Sequence, residues 1–243
     1  MDNHPAFYRY SLKEAVRHGE KDLWRESYMA SCDCARAIER IIEENYDGER
    51  LGSHLAEPIL DRYGFNRVNW VLANTIQQNP QERRFSPENR AWAKSFFIPQ
   101  DDHNWQYAVT SHQGLTDLFV SQVREAWEAL GLFDASHCEE DGRAQDYSGR
   151  VLILNPHIMK DQYKTPDDQL FLAKDGFGCS PSASGRKVFG EFLKDGEQTH
   201  FNRADFIGII KEEYLPEWAR EKLAAMAVPE TEEEAPSGGM ALQ

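Results

Sequence analysis

The run KVFGEFLKDGEQTHF, residues 187–201, decides the fold class. Two short apolar runs, KVFGEFL and EQTHF, flank Lys194-Asp195-Gly196. A tight hairpin needs a positive φ, which glycine supplies without steric cost. Asp-Gly between two such runs therefore predicts a pair of antiparallel strands. Similar short runs recur on both sides: VLIL at 151–154, QLFLA at 169–173 and FIGII at 206–210. Pro216 then opens a terminal helix carrying Trp218, Leu223 and Met226. Residues 150–226 thus read as a small α+β domain built on an antiparallel sheet.

Upstream the period changes from two to between three and four. Trp24, Tyr28, Cys32, Ala35, Ile38, Ile42 and Tyr46 form one stripe, which predicts a long helix over 22–46. Ser11 and Glu14 have capping-box spacing. Leu55, Ile59 and Leu60 mark a short helix that Gly64 stops. Asn66 can cap the next helix, with Val68, Val71, Leu72 and Ile76 inward. Ser86, Pro87 and Glu88 combine a cap, a first-turn proline and an acid, and the helix they open carries Trp92 and Phe96. A last helix holds Leu115, Leu118, Phe119, Val123, Ala126, Trp127 and Leu130, and ends at Gly131. Trp24, Val71, Trp92 and Trp127 lie on these stripes and are expected in the core.

The expected organisation is α+β: a helical domain over 1–133, a linker over 134–149, a small α+β domain over 150–226 and an acidic tail over 227–243. The linker has no apolar period. The tail, AVPETEEEAPSGGMALQ, is polar and rich in Glu, Pro and Gly, which reads as disorder. The chain has 243 residues, 40% hydrophobic and 12% aromatic, enough for packed cores. It carries 27 basic and 41 acidic side chains, a formal charge of −14, so binding nucleic acid through the whole surface is disfavoured. No apolar run approaches a membrane span, and the N-terminus lacks the pattern of a secretory signal. Four cysteines are too few for a disulfide scaffold, so a cytoplasmic protein without membrane contact is expected.

Several residue groups suggest chemistry and fail on spacing. Cys32-Asp33-Cys34 has one intervening residue where zinc knuckles use two to four, even with His137-Cys138 added, so no metal is expected. GFGCSPSASGRK, 176–187, lacks the Gly-Lys-Ser/Thr of a phosphate loop and precedes a strand, so it reads as an ordered loop. Cys179, His200 and Asp205 carry no nucleophile motif. Asp101-Asp102-His103 reads as a turn, and Ser111-His112 as a helix cap. No enzyme activity and no cofactor follow from these groups.

One segment stands apart. Residues 81–97, QERRFSPENRAWAKSFF, place Arg83, Arg84, Arg90 and Lys94 within twelve residues whose only acid is Glu88. Phe85, Trp92, Phe96 and Phe97 are interleaved with them. In an acidic chain this is a local inversion of sign, and Arg90 and Lys94 are spaced to share a helix face. Cations among aromatic rings suit a protein or nucleic-acid contact, so these four residues are the candidate binding site. The competing reading is a solvated basic face paired with local acids.

The stretches YGFNRVNWVLANTIQQ (63–78), RRFSPENRAWAKSFFIP (83–99) and EAWEALGLF (125–133) resemble an uncharacterised domain family of Gram-positive mobile and conjugative elements. Residues 172–223 resemble a small module that accompanies such proteins. The first set, 63–78 with 83–99 and 125–133, is also similar to anti-CRISPR proteins that inhibit Cas9. That resemblance implies a non-catalytic inhibitor that binds Cas9 or another host nucleic-acid enzyme, with possible DNA contact, and it carries over no catalytic residue. The positively charged channels of Cas9 can attract an acidic protein. Two alternatives stand beside it: an accessory protein of a conjugative element that binds DNA or a protein partner, and an enzyme with an unrecognised site.

Overall fold

The computed structural model describes residue 4 and residues 6–100, 103–183 and 185–227. They form two compact units, one from the residues up to 132 together with 156–166, the other from 133–155 and the residues from 167. The protein is α+β, with a helical N-terminal unit followed by an antiparallel five-stranded sheet and a C-terminal helix.

The helical unit contains α1 (Leu12–His18), α2 (Lys21–Glu44), α3 (Ala56–Gln78), α4 (Pro87–Lys94) and α5 (Gln113–Glu128). Ser11 and Glu14 form both halves of the expected capping box, and Gly19 ends α1 in the left-handed region. Ile38, Ile42, Val68, Val71, Leu72, Phe119, Val120 and Val123 are fully buried and make the core. Val71 lies there as expected. Trp24, Trp92 and Trp127 are only half-buried, and Leu118 is half-exposed.

The buried face of α2 is rotated from the expected stripe. It is Ser27, Ser31, Cys34, Ala35, Ile38 and Ile42 that are buried, while Tyr46 is exposed. Arg67 of α3 is the cause. Its side chain is wholly buried, and its guanidinium donates to the Ser27 carbonyl at 2.6 Å, the Ser31 hydroxyl at 3.0 Å and the Ala6 carbonyl at 2.6 Å. A buried guanidinium carries five donors that must find acceptors, so α2 turns hydroxyls and a carbonyl toward it rather than rings.

Gly64 interrupts α3 with φ 74 and ψ 159, as the sequence suggested. The cap of the second half is not the Asn66 side chain. Asp161 supplies it, its Oδ1 accepting the Asn66 N–H at 3.1 Å, while the Asn66 amide donates to the Met159 carbonyl at 3.0 Å. Ser111 is likewise not a cap, because α5 starts after His112 without a side-chain cap.

The second unit contains β1 (Val151–Leu154), β2 (Leu170–Asp175), β3 (Lys187–Phe192), β4 (Gln198–Asn202), β5 (Phe206–Ile209) and α6 (Glu217–Ala227). The strand order is β4-β3-β2-β1-β5, with every pair antiparallel. The hairpin turns at Gly196, φ 79, as read from 187–201. β4 and β5 are opposite edges, yet only the 3-10 turn Arg203–Asp205 joins them. Four Cα steps reach at most ~14 Å. A flat five-stranded sheet would separate its edges by ~19 Å, so the sheet must curl into a partly closed barrel. Bulges at Ile153/Leu154 and Ala173/Asp175 assist that bend.

Residues 134–149 are not a free linker. Cys138 bridges Ile210, Glu139 donates its N–H to the Ile209 carbonyl at 2.8 Å, and Tyr147 is 1% exposed. Their polarity misled because Arg203, itself buried, supplies their partner. It donates to the carbonyls of Arg143, Gln145, Gly178 and Cys179 and stacks on Tyr147 at 3.5 Å. From residue 228 onward the acidic tail lies outside the described residues.

Candidate functional site

The basic segment is anchored by a carboxylate from α5. Asp117 Oδ1 accepts the Ser86 N–H at 2.9 Å, the Ser86 hydroxyl at 3.2 Å and the Asn89 amide at 2.8 Å. Ser86 also caps α4 by accepting the Asn89 N–H at 3.2 Å, with Pro87 in the first turn. These contacts fix the start of α4 on α5 and set the direction of everything after it.

The four cations then divide. Arg90 folds back, its Nε donating to the Phe85 carbonyl at 3.0 Å and its Nη2 to the Glu82 carbonyl. Arg84 grips the Glu82 carboxylate through Nε at 2.8 Å and Nη2 at 2.6 Å, and this pairing pushes the Glu82 pKa down to about 2. Arg83 and Lys94 are exposed and have no ion pair among the described residues. Arg90 and Lys94 therefore do not act together on one face: one holds the loop, the other faces water. Among the aromatics, Phe85 is buried and Trp92 packs edge-on to Phe96 at 5.0 Å. Phe97, just past the helix end, is 87% exposed.

A second feature was not legible as a site. Trp24 and Tyr28, read as core, stack at 5.1 Å and 6° and take His103 edge-on. With Lys21, Arg25, Met29 and Gln106 they line an open cleft of about 340 Å³. The clue available in the sequence was the spacing 21, 24, 25 and 28, which alternates cations and rings on one helix face.

A cluster of perturbed ionisable groups lies in residues 156–166. Lys164 donates to the carbonyls of Pro156 and Met159 at 2.7 and 2.6 Å and lies 3.6 Å from Asp161. Burial pushes its pKa down to about 8 and that of Asp161 up. His157 stacks on Trp127 at 5.4 Å, and burial, aided by the Lys164 charge, pushes it down to about 4. The Lys164 side chain is 1% exposed and held by two carbonyls and the Asp161 charge, which makes this cluster a structural knot beside the helix break at Gly64.

The remaining groups do not assemble. Cys179 is buried with its thiol pushed up by burial, the reverse of an activated nucleophile. His200 lies against Phe189 on the sheet, and Asp205 accepts the Asn202 N–H. Burial pushes Cys34 up to about 12, and among the described residues no group of three His, Cys, Asp or Glu could hold a metal. Asp101 and Asp102 lie outside the described residues. No described helix is long and apolar enough to cross a membrane.

Residues 7–128, which hold the basic segment and the Trp24 cleft, match a family described as a protein of unknown function, DUF3849. No curated protein and no solved structure matches the chain.

Proposed function

We propose, for a chain that belongs to the DUF3849 family across residues 7–128, that it acts by binding a macromolecular partner, with the contact carried by the helical unit. The observation behind this reading is Phe97, 87% exposed and three residues beyond the exposed Lys94, which has no ion pair among the described residues. Leaving a Phe side chain in water forgoes ~2 kcal/mol of burial. An exposed ring close in sequence to an exposed cation, just past a helix whose start Asp117 fixes, suits a partner surface. The resemblance of 63–78, 83–99 and 125–133 to Cas9 inhibitors supports an RNA-guided nuclease as that partner, and their resemblance to a family of mobile elements supports such an element as the source. The protein then works in the cytoplasm by occupancy, without a cofactor and without catalysis.

The geometry supports the following division of roles among the proposed contact residues. Arg83, Lys94 and Phe97 face outward, Arg84 contributes through its pair with Glu82, and Arg90 holds the loop that presents them. The test is a Cas9 plasmid-interference and pull-down assay with Arg83→Glu/Lys94→Glu and, separately, Phe97→Ala. Each variant should keep its melting temperature, because exposed charges contribute under ~1 kcal/mol. Each should lose inhibition at least tenfold. Full inhibition by both variants removes this surface. A parent protein inert toward Cas9, yet shifting DNA through Arg83 and Lys94, favours the conjugative accessory reading instead.

A further inference from the structure

At the β3–β4 end of its sheet the second unit carries exposed residues that the reading above does not use. Along β3, Lys187, Phe189 and Glu191 share one face, since side chains alternate; Lys187 and Phe189 are exposed and Glu191 is buried. The register sets Asn202, His200 and Gln198 of β4 opposite them. Phe189 is 47% exposed and meets the exposed His200 ring at 5.3 Å. The inward positions Val188 and Gly190 close on the core instead, where a Cβ at Gly190 would lie 2.6 Å from the Phe171 ring.

A third ring joins this face. The 3-10 turn Phe177–Cys179 is folded tightly onto β3. A Cβ at Gly176 would lie 2.9 Å from the Phe189 ring and 2.5 Å from the Lys187 carbonyl oxygen. A Cβ at Gly178 would lie 2.5 Å from the Arg186 carbonyl oxygen. Glycines on both sides thus let the backbone touch β3 and hold Phe177 out above it, 86% exposed. Arg186 and Lys187 are exposed at the same end and have no ion pair among the described residues, whereas Lys174 is taken by Glu191 at 2.6 Å. Asp175, paired opposite Phe189 across the bulge, is exposed and has no ion pair among the described residues.

We propose that the outer face of the β3–β4 hairpin, with the Phe177 turn at its edge, binds single-stranded nucleic acid. Phe177, Phe189 and His200 stack bases, and Arg186 and Lys187 take the phosphates. Every base has a flat apolar face, so exposed rings flanked by cations accept a strand without reading its sequence. Charge complementarity selects this occupant: the cations stand at one end of the ring row, within a nucleotide's reach of it. The chain's overall charge of −14 slows the approach of a polyanion, while the two phosphate contacts make affinity fall as salt rises.

The test is fluorescence anisotropy of labelled ten-nucleotide oligo-dT and oligo-rU strands with the full chain, at several salt concentrations. The parent should bind at low salt. Phe177→Ser and Phe189→Ala should each weaken binding about fivefold or more, the lower end of the stacking range. Phe177 is nearly all in water, so its variant stays folded and keeps the test valid if Phe189→Ala does not. Arg186→Ala with Lys187→Ala should reduce the slope of log affinity against log salt by ~1.4, two phosphates at ~0.7 each. Arg83→Glu/Lys94→Glu, in the other unit, should change nothing, so failure here is separable from failure of the Cas9 contact. No binding by the parent, equal binding of a ten-base-pair duplex, equal displacement by an oligoglutamate peptide, or loss confined to Arg83→Glu/Lys94→Glu would each overturn the proposal.

Discussion

Replacing Gly64 with alanine should be among the most damaging single-methyl changes in the helical unit, and the cost can be assembled from parts. At φ 74 and ψ 159 the backbone occupies a region open essentially to glycine alone, worth ~1–3 kcal/mol against any other residue. The added Cβ would also lie 2.1 Å from Asp161 Oδ2, so that carboxylate must leave. Its departure removes the cap on the Asn66 N–H, ~0.5–2 kcal/mol. It also takes the nearest carboxylate from buried Lys164, which keeps its two carbonyl acceptors, so about 1 kcal/mol more is at stake. The sum is ~3–5 kcal/mol, a large share of a domain's ~5–15 kcal/mol. Urea unfolding of the full chain, followed by tryptophan fluorescence, reads this directly. In an Asp161→Ala background the collision and the cap are already gone, so the same glycine change should then cost only the backbone part. A cost below ~1 kcal/mol, or an equal cost in both backgrounds, would refute the account of Asp161 as the external cap of a broken helix.

Arg203→Met should destabilise the sheet unit by ~3–5 kcal/mol, because four carbonyls lose a charged donor and Tyr147 loses its stacked cation. Hydrogen exchange should then rise at 138–147 and 178–179 before the β1–β2 pair, and uniform change across the unit would argue against a local hub. Stability should also fall on mild acidification. His157 is depressed to about 4 in the folded protein, so below pH ~6.5 the unfolded state binds more protons, and ~2 kcal/mol is lost by pH 5. Asp161, raised by burial, opposes this only near the carboxylate range. Chemical melts at pH 7.5 and pH 5 should differ in the parent and converge in His157→Phe. An undiminished difference in that variant would assign the effect to other groups.

What the sequence disclosed was local chemistry. The Asp-Gly hairpin, the Ser11–Glu14 box and the Ser86-Pro87 start each depend on neighbours within a few positions, and each stands as read. Gly64 was legible as a break, but its cap comes from Asp161, ninety-odd positions away, and no pattern announces that. The assignment of residues 156–166 to the helical unit was hidden for the same reason. Residues 134–149 looked like a linker because their side chains are polar, whereas their backbone carries the order.

Three arginines share one physical reason for being unreadable. Arg67, Arg90 and Arg203 all donate to main-chain carbonyls, and Arg67 and Arg203 do so while buried. A carboxylate partner would leave an acidic residue to search for, but a carbonyl acceptor exists at every position and leaves no mark in composition. Counting cations therefore overstates the charge a segment offers to a partner. In the basic run, four cations reduce to Arg83 and Lys94, exposed and without an ion pair among the described residues, with Arg84 neutralised by Glu82 and Arg90 spent on the loop. A charge reversal at Arg90 would thus lose binding by releasing the loop even if no partner ever touched it. Only the exposed pair can separate a contact from a scaffold, which is why the decisive variants carry their changes at Arg83 and Lys94.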